Sequence, residues 1–464
     1  MTQLLRPEFD AQLIDHYGGP GPRYTSYPTS LQFSDSFGPQ QWVQALDQSN
    51  SLLIPADLSL YVHVPFCSSP CFYCGCNREI TRSTEAGQDY LVMLEQEIRA
   101  LARHIDRDRL VRQVHIGGGT PTFLTSNQLD QMIRLLKTSF PFAAEAEIGL
   151  EVDPRTVDPE GIRKLAQTGF NRISIGIQDL NSSVQKAVNR VHDAAQVRRI
   201  LNTARTVGFE SISVDLIYGL PLQTTTDFAR TIEQIIQMQP HRISLFNYAH
   251  MPNLFKAQRQ INPDELPSSG TKLAIFRNTL NRLLDVGYEF IGMDHFALPE
   301  DPLARAHREG TMVRNFQGYS TQAGLDLIGM GPSAISQADQ SFAQNHRSLS
   351  EWRSSLQQGR LPIARGLTRN IDDELRARII SKIMCSGGLR WRDYETDYQI
   401  AFSHYFEREI QQLQQLAKDG LIRWVDGGFE STAAGLLFVR AIAMVFDSYL
   451  NRSESEISSF SKIV

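Results

Sequence analysis

Four of the chain's five cysteines fall in one short run: Tyr61-Val-His-Val-Pro-Phe-Cys67-Ser-Ser-Pro-Cys71-Phe-Tyr-Cys74-Gly-Cys76. Thiols spaced this closely bind something. The first three follow Cys-x3-Cys-x2-Cys, which offers an iron–sulfur cube three thiolates and leaves one iron without a protein ligand. An open iron can hold a small molecule and pass it an electron. With Cys76 as a fourth ligand, the same sulfurs could instead hold structural zinc. Phe72 and Tyr73, between the second and third cysteines, favour a cluster shielded from water. Cys76 is then a ligand, a separate reactive thiol, or simply a neighbour.

Other residues could join this chemistry. Gly117-Gly118-Gly119-Thr120-Pro121 is either a tight turn after a strand or a backbone edge that lets amides approach a ligand, because no Cβ blocks the way. Glu151 and Asp153 are either solvent-facing loop carboxylates or groups at a buried strand end, where a carboxylate needs a partner such as a ribose hydroxyl or a cation. Asp215, after Val214 in an apolar run, poses the same choice. Gln178, Asp179 and Arg190 carry weaker signals, since a lone Arg is more often a surface side chain.

These residues need a frame. Short β-branched runs at 58–64, 111–116, 147–152, 172–177, 211–217 and 242–247 alternate with amphipathic helices. In the first helix, Leu91, Leu94, Ile98, Leu101 and Ile105 step by three and four and form one apolar stripe. The helix at 159–168 has Asp158 to cap it, Pro159 at its first position and Gly169 to end it. Gly169-Phe170, Gly208-Phe209 and Gly287-Tyr288 each read as a helix stop followed by an aromatic entering the next strand. The alternation implies an α/β fold of parallel strands with right-handed crossovers, a partial, six-unit TIM-like β/α barrel. The cysteines, the glycines, Glu151 and Gln178 all fall at carboxyl ends of strands, where such sheets do chemistry.

The frame divides the chain into an N-terminal arm (1–50), a barrel with its extension (51–340) and a mainly helical C-terminal domain (341–464). The strand–helix rhythm ends near 340. Helices are predicted at 372–385, 403–418 and 432–450, and a hairpin at Leu421–Glu430. This combination suggests a winged-helix-like appendage. A chain of 464 residues with a net charge of −5 has no global attraction to nucleic acid or an acidic membrane. Neither a signal peptide nor an apolar run long enough to span a bilayer is read in it. Clustered cysteines without a leader fit the reducing cytoplasm.

The run Tyr61-x-His63-x-Pro65-Phe66-Cys67-x3-Cys71-x-Tyr73-Cys74 resembles the signature of radical S-adenosylmethionine (SAM) enzymes. Further motifs narrow the resemblance to the family of oxygen-independent coproporphyrinogen III oxidases (dehydrogenases). They are Cys76-Asn77, the Arg23–Thr29 arm, Asn247–His250, Met293–Phe296, Arg314–Tyr319, Gly329–Ser336 and the final Phe460–Val464. The resemblance implies a cytoplasmic, monomeric enzyme of haem synthesis that binds no nucleic acid and no membrane. It implies one 4Fe–4S cluster on Cys67, Cys71 and Cys74, and two molecules of S-adenosylmethionine. Tyr61, Gly118 and Glu151 match positions that hold the first. Tyr73, Gly119, Thr120, Gln178, Arg190, Asp215, Ala249 and Ile335 match positions that hold the second. The Cys76 position matters for activity without ligating the cluster. The chain departs from the family pattern in the order Phe72-Tyr73 and in Pro332 inside the late glycine loop.

The implied substrate is coproporphyrinogen III, two of whose propionates become vinyls to give protoporphyrinogen IX. Each conversion removes an unactivated hydrogen, then carbon dioxide and one electron. No side-chain base takes that hydrogen as a proton, whereas a 5′-deoxyadenosyl radical abstracts it as an atom. An external one-electron donor and an electron acceptor complete the reaction. Arg23 and Arg314 match positions suited to substrate carboxylates. A haem-binding or haem-trafficking protein of the same superfamily is the rival reading; Cys76 and the Arg23–Thr29 arm oppose it. Anaerobically reconstituted protein should bind about four irons per chain. Cys67→Ser, Cys71→Ser and Cys74→Ser should each lose iron and sulfide on analysis, while Cys76→Ser should keep them and lose most turnover.

Overall fold

The computed structural model describes residues 5–450 and 460–463. The first residues of the arm and Val464 of the terminal motif lie outside them. The β-branched runs form strands β1 (Leu58–Val64), β2 (Val111–Gly118), β3 (Phe142–Val152), β4 (Arg172–Gln178), β5 (Ser211–Tyr218) and β6 (Arg242–Asn247). Between them run helices α1 (Glu85–Leu101), α2 (Ser126–Ser139), α3 (Pro159–Thr168), α4 (Ala194–Thr206) and α5 (Thr225–Met238). Leu91, Leu94, Ile98 and Leu101 are buried along α1 as the periodicity requires; Ile105 is buried too, but on extended backbone past the helix end. Thr125, Asp158 and Thr224 accept amide protons at the starts of α2, α3 and α5, and Gly169 ends α3 with φ of 104°.

Neighbouring strands from β1 to β6 pair in parallel and in chain order. The sheet also continues on the other side of β1. There β7 (Asp326–Met330) runs parallel to β1, followed by antiparallel β8 (Ile335–Ala338), β9 (Ser341–Asn345) and β10 (Ile363–Thr368). The expected end of the strand rhythm near 340 is therefore corrected. Every residue of β7 and β9 is buried, so neither strand carries the polar–apolar alternation that marks a half-exposed strand in a sequence.

The larger compact unit comprises residues 33–279 and 324–368, and the smaller one 1–32, 280–323 and 369–464. This division cuts across the arm, barrel and C-terminal segments read from the sequence. In the larger unit, helix Pro39–Asn50 is bound into the sheet's amino edge. Ser49 Oγ donates to Asp326 Oδ2 at 2.5 Å, and Arg109 Nη2 donates to the same oxygen at 2.5 Å. Arg109, 2% exposed, also reaches the Ala56 carbonyl at 2.6 Å and Asn50 Oδ1 at 2.9 Å. Removing one partner of a buried pair typically costs about 3–5 kcal/mol, so this lock fixes the start of β2 against that of β7.

The smaller unit packs helix Ile371–Ser386 with a three-stranded sheet of Gly388–Arg390, Gly428–Ser431 and Ile422–Val425, which includes the expected hairpin. The helix expected at 403–418 breaks at Phe406, whose ring packs on Phe402 and Phe446, giving Phe402–Tyr405 and Glu407–Lys418. The helix expected at 432–450 contracts to Val439–Met444 after a 3-10 turn at Gly435–Phe438. Gly435 lies against the Leu421 carbonyl, and that tight approach holds the chain short of helix there. Within this unit Arg23 Nη2 pairs with Asp294 Oδ2 at 2.6 Å, and Arg314 Nε donates to the Arg23 carbonyl at 3.1 Å. Among the described residues no helix is long and apolar enough to cross a membrane.

One buried carboxylate shapes the late glycine loop between β7 and β8. Glu97 on α1 accepts from the Gly331 amide at 2.8 Å, Asn345 Nδ2 at 2.6 Å and Trp352 Nε1 at 2.9 Å. Tyr90, two turns earlier on the same helix, donates to the His63 carbonyl at 2.8 Å. Burial raises Glu97 to about 7 from the ordinary 4.5, against the pull of those three donors. A raised acid favours the protonated fold. Its contribution to stability is therefore full below about pH 4.5 and is lost as pH rises through about 7. Glu97→Gln cannot ionise. Urea unfolding of the apoprotein should show native stability declining relative to this variant across that window, by roughly 1.4 kcal/mol per unit of pKa difference.

Candidate active site

The cysteine run leaves β1 and curls over the carboxyl edge of the sheet. Residues Phe66–Cys67 pair in parallel with Glu79–Ile80, closing the run into a loop. His63 staples the loop from below. Its Nε2 donates to the Asn77 carbonyl at 2.8 Å, and Tyr61 Oη donates to its Nδ1 at 3.1 Å. Burial lowers the His63 pKa, consistent with this neutral tautomer. Arg78 ties the loop together internally, donating to the carbonyls of Cys71 at 3.3 Å, Cys74 at 3.1 Å and Cys76 at 3.5 Å.

The glycine run is stitched to this loop. The Gly119 amide donates to the Val64 carbonyl and the Thr120 amide to the Phe66 carbonyl, both at 2.8 Å. A Cβ on Gly119 would lie 2.8 Å from the Phe66 oxygen, and one on Gly117 would lie 2.7 Å from Glu151 Oε1. Gly118 has φ of 114°, and its Cβ would meet the His63 ring at 2.8 Å. The run is therefore a close-approach edge. Glu151 lies beside it, accepting from the Gly118 amide and from His115 Nε2, each at 3.2 Å.

Cys67, Cys71, Cys74 and Cys76 line one cavity with Tyr73, Gly118, Gly119, Thr120, Glu151, Gln178, Arg190 and Asp215. These twelve residues, all singled out in the sequence, thus converge there, and Asp153 joins them. Tyr61 stands one layer back, its ring parallel to His115 at 6.0 Å. Ile335 opens β8, with its carbonyl packed against Gly329, which pairs with Tyr61. Ala249 follows β6, and none of these three lines the cavity. Asp179 also turns away, accepting from Gln223 Nε2 at 2.6 Å and Thr231 Oγ1 at 2.7 Å as a structural carboxylate.

The sulfurs sit among hydrogen-bond donors. Thr120 Oγ1 lies 3.2 Å from Cys67 Sγ, the Cys76 amide 3.4 Å from Cys74 Sγ, and Arg155 and Arg190 each 3.4 Å from Cys71 Sγ. Burial raises Cys67 to about 11, while a hydrogen bond from the Cys76 thiol lowers Cys74 to about 6 and raises Cys76 in turn. Among the described residues, no group of three or more Cys, His, Asp or Glu is gathered around a single metal ion. The three cysteines instead border a shared space, and their donors suit thiolates bound to a cluster. Gln178 adds a second sign of a ligand. It has φ of 68°, and its buried Oε1 has no hydrogen-bond partner among the described residues. Asp215 accepts from Ser174 Oγ at 2.9 Å. Arg78 and Arg155 escaped the sequence reading; the one available signal was Arg155's place directly after Asp153-Pro154.

A parallel β/α sheet with a three-cysteine loop on its carboxyl edge is the arrangement of radical SAM enzymes, and the Radical SAM superfamily profile matches residues 61–235. The fold superposes on the coproporphyrinogen III oxidase of Escherichia coli, a radical SAM enzyme, with a TM-score of 0.91 and 43% identity over 96% of this chain and all of that one. Oxygen-independent coproporphyrinogen III oxidases from Pseudomonas aeruginosa and Synechocystis are 46% and 41% identical, over 95% and 99% of this chain and 96% and 99% of their own. The chain belongs to the family of oxygen-independent coproporphyrinogen III oxidases. The left-handed backbone and ring contact at Gly118 give a direct test of the glycine edge. Gly118→Ala should lower stability by about 1–3 kcal/mol in thermal unfolding and release the His63 staple.

Proposed function

We propose that this protein converts coproporphyrinogen III to protoporphyrinogen IX by oxidative decarboxylation of two propionates, in haem synthesis. The observation that carries the reading is the convergence of Cys67, Cys71 and Cys74 with the glycine edge and Glu151 on one cavity, in a chain alike over its full length to oxidases of this name. When bound, the 4Fe–4S cluster supplies the electron that cleaves S-adenosylmethionine to a 5′-deoxyadenosyl radical.

The chain's own residues bind and orient. Cys67, Cys71 and Cys74 would hold the cluster in the cavity that the glycine edge also lines. Gly118 and Glu151 hold the first S-adenosylmethionine, with Tyr61 behind them fixing His63 and His115. Glu151 suits an amine or ribose hydroxyl because it accepts one hydrogen bond each from Gly118 and His115 and keeps further lone pairs. Tyr73, Gly119, Thr120, Gln178, Arg190 and Asp215 hold the second molecule, and Ala249 and Ile335, outside the cavity's lining, match family positions for it. The unpartnered Gln178 oxygen and the Ser174-oriented Asp215 carboxylate give it acceptors. Cys76, exposed and outside the ligand set, acts on the reaction itself. The enzyme works as a cytoplasmic monomer with an external one-electron donor and an electron acceptor.

Anaerobic turnover of coproporphyrinogen III, followed by mass detection of product and of 5′-deoxyadenosine, tests the whole assignment. Glu151→Ala should lose both outputs, because its molecule reaches the cluster. Asp215→Ala should keep more of the 5′-deoxyadenosine release while vinyl formation disappears. Parallel loss of both outputs in both variants removes the support for two separate molecules.

A further inference from the structure

Arg155 has no part in the roles above, yet it touches the cysteine loop as closely as Arg190 does. Its Nη2 donates to Cys71 Sγ at 3.4 Å and to Asp153 Oδ2 at 2.7 Å, and its Nε spans both oxygens of Asp153 at 3.0 and 3.1 Å. Arg190 Nη1 reaches the same sulfur at 3.4 Å and the same carboxylate at 2.9 Å. Cys71 thus receives two guanidinium N–H groups, whereas Cys67 faces one hydroxyl, and Cys74 an amide and a thiol. Asp153 offsets one of the two positive charges. Burial alone would raise its pKa, but Arg190 and Arg155 outweigh that and hold it ionised. One uncompensated positive charge is left against the sulfur.

The backbone around Cys71 is held by other means. The Phe72 amide donates to the Val188 carbonyl at 3.0 Å, and Asn189 Nδ2 donates to the Pro70 carbonyl at 2.7 Å. Phe72 is therefore anchored without Arg155, whereas Asn189, which anchors Pro70, also accepts at its carbonyl from Arg155 Nη1 at 3.3 Å. Removing Arg155 takes charge and hydrogen bonding from the sulfur and one contact from the Asn189 carbonyl, and leaves the Phe72–Val188 and Asn189–Pro70 hydrogen bonds in place.

We propose that Arg155 is a positioning residue that, together with Arg190, raises the reduction potential of the cluster through Cys71. The inference rests on the reading of Cys71 as a cluster ligand. Donors and positive charge at a ligand sulfur stabilise the more negative, reduced state, so the one electron arriving from the external donor is held more tightly. Arg190 serves the same sulfur but also faces the second S-adenosylmethionine, so Arg155 is the residue that isolates the effect.

The experiment uses the full chain, reconstituted anaerobically, and measures iron content and midpoint potential by dye-mediated titration with electron paramagnetic resonance. Arg155→Leu should keep native iron and weaken reduction about tenfold, a shift of about 59 mV to more negative potential for a one-electron couple. Arg155→Lys keeps the charge without the fork and should fall between the two. If Arg155→Leu loses its iron, the potential of Arg155→Lys decides. An unmoved potential at full iron, or loss of iron in both variants, overturns the inference. Cys71→Ser separates the two levels: iron retained there overturns the ligand reading itself.

Discussion

The parallel pairing of β1 with β2 and with β7 is the constraint on which the site depends. It sets Tyr61 between His115 and Gly329 and brings Val64 level with Gly118 at the carboxyl edge. Past that edge the ladder continues without strands, because the Gly119 and Thr120 amides go on donating to Val64 and Phe66. The cysteine loop is thereby registered against the glycine edge by backbone hydrogen bonds. Only residues without a Cβ permit this, since side chains at 117 and 119 would overlap a carboxylate and a carbonyl. At the opposite edge the buried Arg109–Asp326 pair holds the same strands, so slipping β2 against β7 would strand a charge in the interior.

Charge is distributed over the site in an uneven way. Cys74, Glu151, Asp153 and Asp215 gather acidic groups in a partly closed space, and each has a local partner. Arg78 serves the loop's carbonyls, Arg155 and Arg190 serve Asp153 and Cys71, and His115 and the Gly118 amide serve Glu151. Among the described residues that line the cavity, the Gln178 Oε1 is the buried acceptor left without a donor. Glu97 shows the same principle one layer down. A carboxylate buried behind β1 tolerates its place because three donors converge on it, and in return it fixes Gly331 ahead of Ile335.

Much of this was legible in the chain itself. Spacing alone marked Cys67, Cys71 and Cys74. The alternation of β-branched runs with amphipathic helices gave six parallel strands, and the glycine-aromatic stops placed the helix ends, because these signals are local. The motifs were legible as a set because a parallel sheet sends every carboxyl end to one edge. Signals failed where burial is complete or the partner is distant. The strands β7 and β9 carry no alternation, the helix at 403–418 breaks where the Phe406 ring enters the core, and the break is set by residues far along the chain. The sequence by itself determined which thiols, glycines and carboxylates stand at strand ends. Only the tertiary structure decided which of them share a cavity, that Tyr61, Ala249 and Ile335 stand outside its lining, and that Arg155 reaches Cys71. Periodicity and spacing report the few residues on either side of a position, whereas contacts between strand ends depend on register and twist accumulated across the whole sheet.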